Sequence, residues 1–307
     1  MKLVKGALSL MLCSVGIGSA YAANVDIYGR ANVSLQSSDD GEGRYSELKS
    51  NASRIGFKGT HDLNDDLEVV YQAEFQIDID GDSDDAFTAR NQFIGLRGAF
   101  GEVLLGKNDS ILKQSQGKTD LFSDLNGDIK TLWAGENRLS DTVTYKSPKF
   151  NGFQLGLTYI VEDSVEGEDA LSIGAFYGDK NLKKSQVYAA IAYDAEVKGF
   201  DTIRATVQTK ISDVIVGLVL QNQEDIATGA EMDGVMVSAK YTIGATTLKG
   251  QYQIADHKGS DKNSGLTAGA DYKLASDTKL YAFYTTFDVK TENQDADYLG
   301  VGIQYDF

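Results

Sequence analysis

From residue 24 onward the chain is written largely in a period of two. Val25, Ile27, Ala31, Val33 and Leu35 alternate with Asp26, Tyr28, Arg30, Asn32, Ser34 and Gln36. Over 67–79, Leu67, Val69, Tyr71, Ala73, Phe75, Ile77 and Ile79 alternate with Glu68, Gln72, Glu74, Gln76 and Asp78. Phe153, Leu155, Leu157, Tyr159 and Val161 share one face, as do Leu299, Val301, Ile303, Tyr305 and Phe307. Side chains of a strand point alternately to its two faces, so this pattern predicts strands with one apolar and one polar face. No stretch of the mature chain approaches the ~18 consecutive apolar residues of a spanning helix. Val214–Leu220, the longest, is strand-sized.

Alternation has two physical readings. In a soluble sandwich the apolar face is the core. In an outer-membrane barrel the apolar face meets lipid and the polar face lines a wet lumen. Three features favour the barrel. The segments run to about 10 residues, the length a tilted spanning strand needs. Short turns (61–66, 99–101, 211–213, 243–245) are interleaved with longer polar loops (37–48, 80–86, 223–231, 257–262, 289–295). The chain also ends on an aromatic of the apolar face, Phe307. Strands are expected near 24–36, 49–59, 67–79, 87–98, 101–108, 138–147, 152–162, 169–178, 184–194, 199–210, 213–222, 232–242, 245–255, 263–273, 277–287 and 296–307. The fold class is all-β: a 16-stranded antiparallel transmembrane β-barrel, with an even count as up-and-down closure requires.

Composition narrows the function. There are 45 acids against 29 Lys and Arg, a formal charge of −16, which argues against a nucleic-acid partner. Lys2 and Lys5, the apolar run 8–17 and Ala20-Tyr21-Ala22 have the layout of a cleaved signal peptide over 1–22. Its removal leaves one domain, 23–307, takes the charge to −18 and removes Cys13, the only cysteine. Cys13 sits in mid-apolar region after Met11-Leu12, so it reads as an ordinary leader residue rather than a lipid anchor. One connection, 109–137, is out of scale, and loops that long are usually functional. It carries the only Trp, Trp133, and a cluster of acids, Asp120, Asp124 and Asp128.

These residues resemble the general-diffusion porins of the Gram-negative outer membrane, trimeric 16-stranded barrels whose long third loop folds into the pore. Ile27-Tyr28-Gly29-Arg30-Ala31 resembles the family's opening strand. Ala52-Ser53-Arg54-Ile55-Gly56-Phe57-Lys58-Gly59 resembles the second strand, and Ala89-Arg90-Asn91-Gln92-Phe93-Ile94-Gly95-Leu96 the fourth. Leu105-Gly106-Lys107-Asn108 enters the loop as the family does. Thr119 to Asp128 is similar to the loop tip, with Ser123, Asp124 and Asn126 where Pro, Glu and Gly are usual. The resemblance implies a pore constriction in which Arg30, Arg54, Arg90 and Arg138 on the wall face Asp120, Asp124 and Asp128 on the loop. It implies a barrel-assembly signal at Tyr305 and Phe307. The partners it implies are a homotrimer, outer-membrane lipid and lipopolysaccharide, the barrel-assembly machinery, periplasmic chaperones, and small hydrophilic solutes and ions.

The period-two phase tests part of this. Arg30 shares a face with Asp26, Asn32 and Ser34, and Arg54 is opposite in phase to Ile55 and Phe57. Arg138 is in phase with Ser140, Thr142 and Thr144, whereas Arg90 shares its phase with Ile94. An arginine turned to lipid at mid-bilayer would cost roughly 2–4 kcal/mol, so the lumen is favoured. Loop acids facing the arginines across a narrow gap of water would set up a transverse field that favours charged or dipolar solutes. The expected function is passive diffusion of small hydrophilic solutes, with cation preference from the acidic balance. The rivals are a substrate-specific channel, for a sugar or other nutrient, and a non-conducting structural or adhesive barrel. An enzyme is not expected: the two histidines, His61 and His257, fall at different turns and neither pairs with a nucleophile. Asp78 to Asp85 lacks the Gly and Glu spacing of an EF-hand, so it reads as a solvated acidic loop. No cofactor or metal is implied.

Overall fold

The computed structural model describes residues 24–82, 84–162, 169–290 and 294–307. The leader expected over 1–22, with Cys13, lies outside the described residues, as does Ser83 of the Asp-rich segment. The strand segments are β1 (Asn24–Asp39), β2 (Arg44–Ser50), β3 (Arg54–Asn64), β4 (Leu67–Ile77), β5 (Phe87–Gly98) and β6 (Gly101–Asp109). A five-residue helix, α1 (Ile111–Ser115), and a 3-10 turn (Ile129–Thr131) interrupt the series. Then come β7 (Arg138–Lys146), β8 (Phe153–Ile160), β9 (Ala170–Gly178), β10 (Val187–Val197), β11 (Phe200–Ile211) and β12 (Val214–Asp225). The last are β13 (Ala230–Ile243), β14 (Thr246–His257), β15 (Lys262–Lys273), β16 (Thr278–Val289) and β17 (Gln294–Asp306).

Every pairing is antiparallel, and β1 pairs with β17 from Arg30↔Asp306 to Asp39↔Asp297, which closes the sheet. Gly29 and Phe307 exchange both backbone hydrogen bonds below that seam. β2 and β3 are two pieces of one barrel strand. Both pair with β1, and between Val33↔Ser50 and Arg30↔Arg54 two residues of β1 face Asn51, Ala52 and Ser53. The extra residue is a bulge with Ala52 at φ +52°. The closed barrel therefore has sixteen strands.

The burial pattern decides between the two readings of the alternation. Polar side chains are buried on one face: Gln36, Gln208 and Gln253 are each no more than 2% exposed. Apolar ones are exposed on the other, including Leu35, Ile94, Leu155 and Val301. That is the reverse of a protein whose apolar face is its core, and it is the arrangement a barrel in lipid requires. Tyr and Phe mark both rims of the outer face: Phe100, Tyr145, Phe150 and Phe153 at the end holding Phe307, and Tyr159, Tyr193 and Tyr284 at the opposite end. Such rings have an apolar body and a polar tip suited to the membrane interface.

The second strand reaches from 44 to 64, well beyond the expected 49–59, and the expected loop 37–48 shrinks to 40–43. Its ends are polar because they pair above the apolar band: Gln36 and Ser38 both donate to Glu47 across the sheet, at 2.7 and 2.6 Å. The expected contrast between short and long connections also has exceptions. Asp179 organises an eight-residue turn, 179–186, at the Phe307 end by accepting N–H bonds from Asn181, Lys183 and Lys184. At the other end, 198–199 is a two-residue hairpin turn with Lys198 and Gly199 both at positive φ.

Candidate constriction site

The segment 110–137 leaves β6 and packs against the polar inner face of the barrel. Its start is fixed by Ser110, whose Oγ accepts from the Lys113 N–H and caps α1. Three apolar anchors hold it. Ile111 and Leu112 pack on Ala192 and Phe176. Ile129 and Trp133 enter a cluster of Val219, Met232, Met236 and Ala255. Phe122 packs on Tyr281 and Phe283. The wall makes room for these anchors with glycine. A Cβ on Gly234 would stand 2.7 Å from the Trp133 ring, and one on Gly174 2.9 Å from Ile111.

A backbone buried in the barrel must also find hydrogen-bond partners. Glutamines of β11, β12 and β14 supply six such bonds from the wall. Gln208 donates to the Lys118 carbonyl and Gln221 to that of Ala134. Gln223 accepts from the Ala134 N–H. Gln251 accepts from the Leu121 N–H and, with Gln253, donates to the Gly127 carbonyl. Behind the loop, fully buried Arg204 pairs with Glu136 at 2.5 Å. This glutamine ladder and the Arg204–Glu136 pair are absent from the sequence-derived site. Their signal was available in Gln221-x-Gln223 and Gln251-x-Gln253, both on the polar phase.

The three acids of the loop tip, Asp120, Asp124 and Asp128, have different positions. Asp124 sits at φ +78°, a left-handed conformation that Asp tolerates better than most residues. Its Oδ2 accepts from Arg30 at 3.2 Å and Arg54 at 3.4 Å. It therefore touches the arginines directly instead of facing them across water. Asp120 does not face the arginines. It is 5% exposed and clamps the tip, accepting from the Phe122 N–H at 2.8 Å and the Ile129 N–H at 3.0 Å. Burial pushes its carboxyl up to about 7, with the Asp128 charge adding to the effect and the two N–H bonds opposing it. Asp128 caps the 3-10 turn through the Lys130 N–H and pairs with the Lys130 ammonium.

The four arginines fall into three groups. Arg30 and Arg54 share Asp124, and Arg30 also holds Asp306 at 2.6 Å. Arg90 is on the inner face, where it pairs with Glu74 at 2.5 Å and donates to Gln76. The phase it shares with Ile94 is undone by a bulge: between Ala73↔Gln92 and Phe75↔Ala89, Glu74 alone faces Asn91 and Arg90. Tyr28 donates to the same Glu74. Arg138 pairs with Asp109 at 3.0 Å and donates to Asn91, and so meets none of the loop-tip acids among its described contacts. A register shift between Thr142 and Leu139 breaks the phase that had linked it to Thr142 and Thr144. Glu74, Asp306 and Asp109 are thus partners that the resemblance did not supply. At the C-terminus, Tyr305 and Phe307 stack with ring centroids 5.8 Å apart on the outer face.

Chemically the site is a row of guanidiniums on one wall, with one loop acid pressed against it. Among the described residues, no group of three or more His, Cys, Asp or Glu could hold a metal. Residues 7–294 match the family described as Gram-negative porin. The chain is 24% identical over 323 residues to the major outer membrane protein P.IB of Neisseria meningitidis serogroup B, covering 99% of this chain and 89% of that protein. Its fold matches an anion-selective porin from Comamonas acidovorans with a TM-score of 0.80 at 20% identity, over 93% of this chain and all of that one. It also matches the trimer form of OmpT of Vibrio cholerae, with a TM-score of 0.68 at 18% identity over 93% and 100% of the two chains.

Proposed function

The chain belongs to the Gram-negative porin family, and on that premise we propose that its constriction is built by Arg30, Arg54 and Arg90 on the wall with Asp124 on the loop. The protein is an outer-membrane porin, a water-filled channel for passive diffusion of small hydrophilic solutes and ions, and not an enzyme. The observation that carries the constriction is the contact of Asp124 with Arg30 and Arg54, made by a loop anchored on the opposite wall at Gln251, the Ile254 carbonyl and Arg204. Guanidiniums in a narrow, low-dielectric passage create potentials of several kT. Asp124 and Glu74 neutralise part of that charge, so the passage orients dipoles and slows large apolar solutes, which gain nothing for the water they displace. Arg138 and Asp128 modulate the edge of this region, and Asp120 shapes the tip.

The acids crowd the loop end, at Asp39, Asp40, Glu42, Glu47, Asp78 and Asp80 among others. They support cation preference at the mouth, and lipopolysaccharide bridged through divalent cations as a neighbour. A homotrimer follows the precedent of the relative in trimer form. Tyr305 and Phe307 would be the signal read by the barrel-assembly machinery after chaperone delivery, and 1–22 the cleaved leader. Reversal potentials in a KCl gradient, measured for wild type and Asp124→Asn, test the constriction. A shift towards anions supports it, and an unchanged potential rejects it.

A further inference from the structure

At the Phe307 end of the lumen lies a cavity of about 280 Å³, away from the Arg30–Arg54–Asp124 contact. One water's share of liquid volume is ~30 Å³, so the cavity holds a small ion with several waters. Its wall is formed by Lys146 at the end of β7, Lys149 in the turn that follows, Lys180 in the turn after β9, Tyr188 at the start of β10, and Gln114 from the loop. Lys146 is in phase with the inward Thr142 and Thr144, and Tyr188 donates to the Ser115 carbonyl of the loop. The cavity therefore opens to the lumen and not to lipid.

The charge in this cavity is unbalanced. Among the described residues, none of Lys146, Lys149 and Lys180 has a carboxylate within ion-pairing distance. The one acid of the lining, Asp179, accepts three backbone N–H bonds that shape its turn and interacts with the Lys149 ammonium without pairing with it, so it offsets only one of the three lysine charges. The acids nearest Lys146 are likewise committed, Glu102 to Arg97 and Asp109 to Arg138. Lys118, on the neighbouring part of the loop, adds a fourth charge. Burial, and after it the Lys180 ammonium, holds Lys118 below the usual lysine range. Ammoniums in excess over carboxylate around a wet, partly enclosed space are matched by a ligand carrying more than one negative charge.

We propose that this cavity binds a small multivalent oxyanion of the inorganic phosphate class, held by Lys146, Lys149 and Lys180. The site is separate from the constriction and does not depend on the role given to Asp124. The loop end is crowded with acids, so the anion loads from the end that holds Phe307.

The test is calorimetric titration of inorganic phosphate into the full-length, detergent-solubilised barrel at low ionic strength. Wild type is expected to show saturable binding that weakens with added salt. Lys149→Gln/Lys180→Gln is expected to weaken it by about tenfold or more, given the loss of two close charges. Both substitutions lie in turns outside the strands, and Lys149→Arg/Lys180→Arg is expected to retain binding, which separates charge loss from misfolding. Lys183→Gln/Lys184→Gln, on the same turn but off the cavity, is expected to change nothing. Unsaturable heats, equal affinity in the Gln double variant, or loss of binding only in Arg30→Gln/Arg54→Gln would each overturn the proposal. A second arm uses nanodiscs with and without phosphatidylglycerol. A lysine dependence seen only with that lipid, and not with inorganic phosphate, would make these lysines a headgroup contact and also overturn it.

Discussion

Arg30 and Arg54 stand directly opposite one another across β1 and β3, as register partners on the inner face of the barrel. Like charges in that relation repel. Asp124 relieves the repulsion by accepting from both guanidiniums, and Asp306 takes a second bond from Arg30. The loop tip is therefore held to the wall by charge, while the rest of the loop is held by packing and glutamine bonds.

The packing can be loosened alone. Gly234 lies under Trp133, the only tryptophan, which makes the loop's second anchor readable by fluorescence. Gly234→Ala places a Cβ 2.7 Å from the indole, an overpacking that typically costs ~1–3 kcal/mol. A red-shifted Trp133 emission and noisier single-channel current are expected. Gly250→Ala, where nothing lies within 4 Å of the added carbon, should leave both unchanged.

The buried pair behind the loop should behave asymmetrically. Arg204 is fully buried and Glu136 nearly so. Removing one partner of such a pair leaves an uncompensated charge and typically costs about 3–5 kcal/mol. Thermal unfolding in detergent should show Glu136→Gln and Arg204→Met each well below wild type. The double variant should lie above either single one, and additive losses would argue against the pair.

Asp120 gives the loop a pH dependence. Its folded-state pKa is raised from 3.8 to about 7, so the folded loop binds a proton more tightly than the unfolded chain does. Its contribution to stability is fully present below pH 3.8 and is lost as the pH rises through about 7. Trp133 emission should shift to the red, and the unfolding temperature fall, across that window. Asp120→Asn should flatten both profiles, and an equal slope in the variant would assign the dependence to another group.

Much of the fold was legible because lipid imposes a strict alternation. The run Leu299–Phe307 shows its outer face residue by residue, and fifteen of the sixteen barrel strands fall near their expected positions. The second strand is not legible at its ends because Ser38 and Glu47 pair beyond the apolar band, where polarity looks like loop. The site was less legible. Arg90 reached the inner face only through a bulge, which alternation cannot show. Asp120, Asp124 and Asp128 are chemically alike in the sequence, and their roles diverge through backbone geometry: a clamp, a left-handed contact residue and a helix cap. The inward glutamines were visible in phase, but nothing local identified the segment they bind.

In the proposed constriction, Asp124 sets the charge of the passage at Arg30 and Arg54. The most direct test of this role is the reversal potential of single channels in a KCl gradient, wild type beside Asp124→Asn. Loss of the carboxylate leaves the two guanidiniums unbalanced, so the potential should move towards anion preference, with less effect in Asp120→Asn. An Asp124→Asn channel with the wild-type potential would contradict the account.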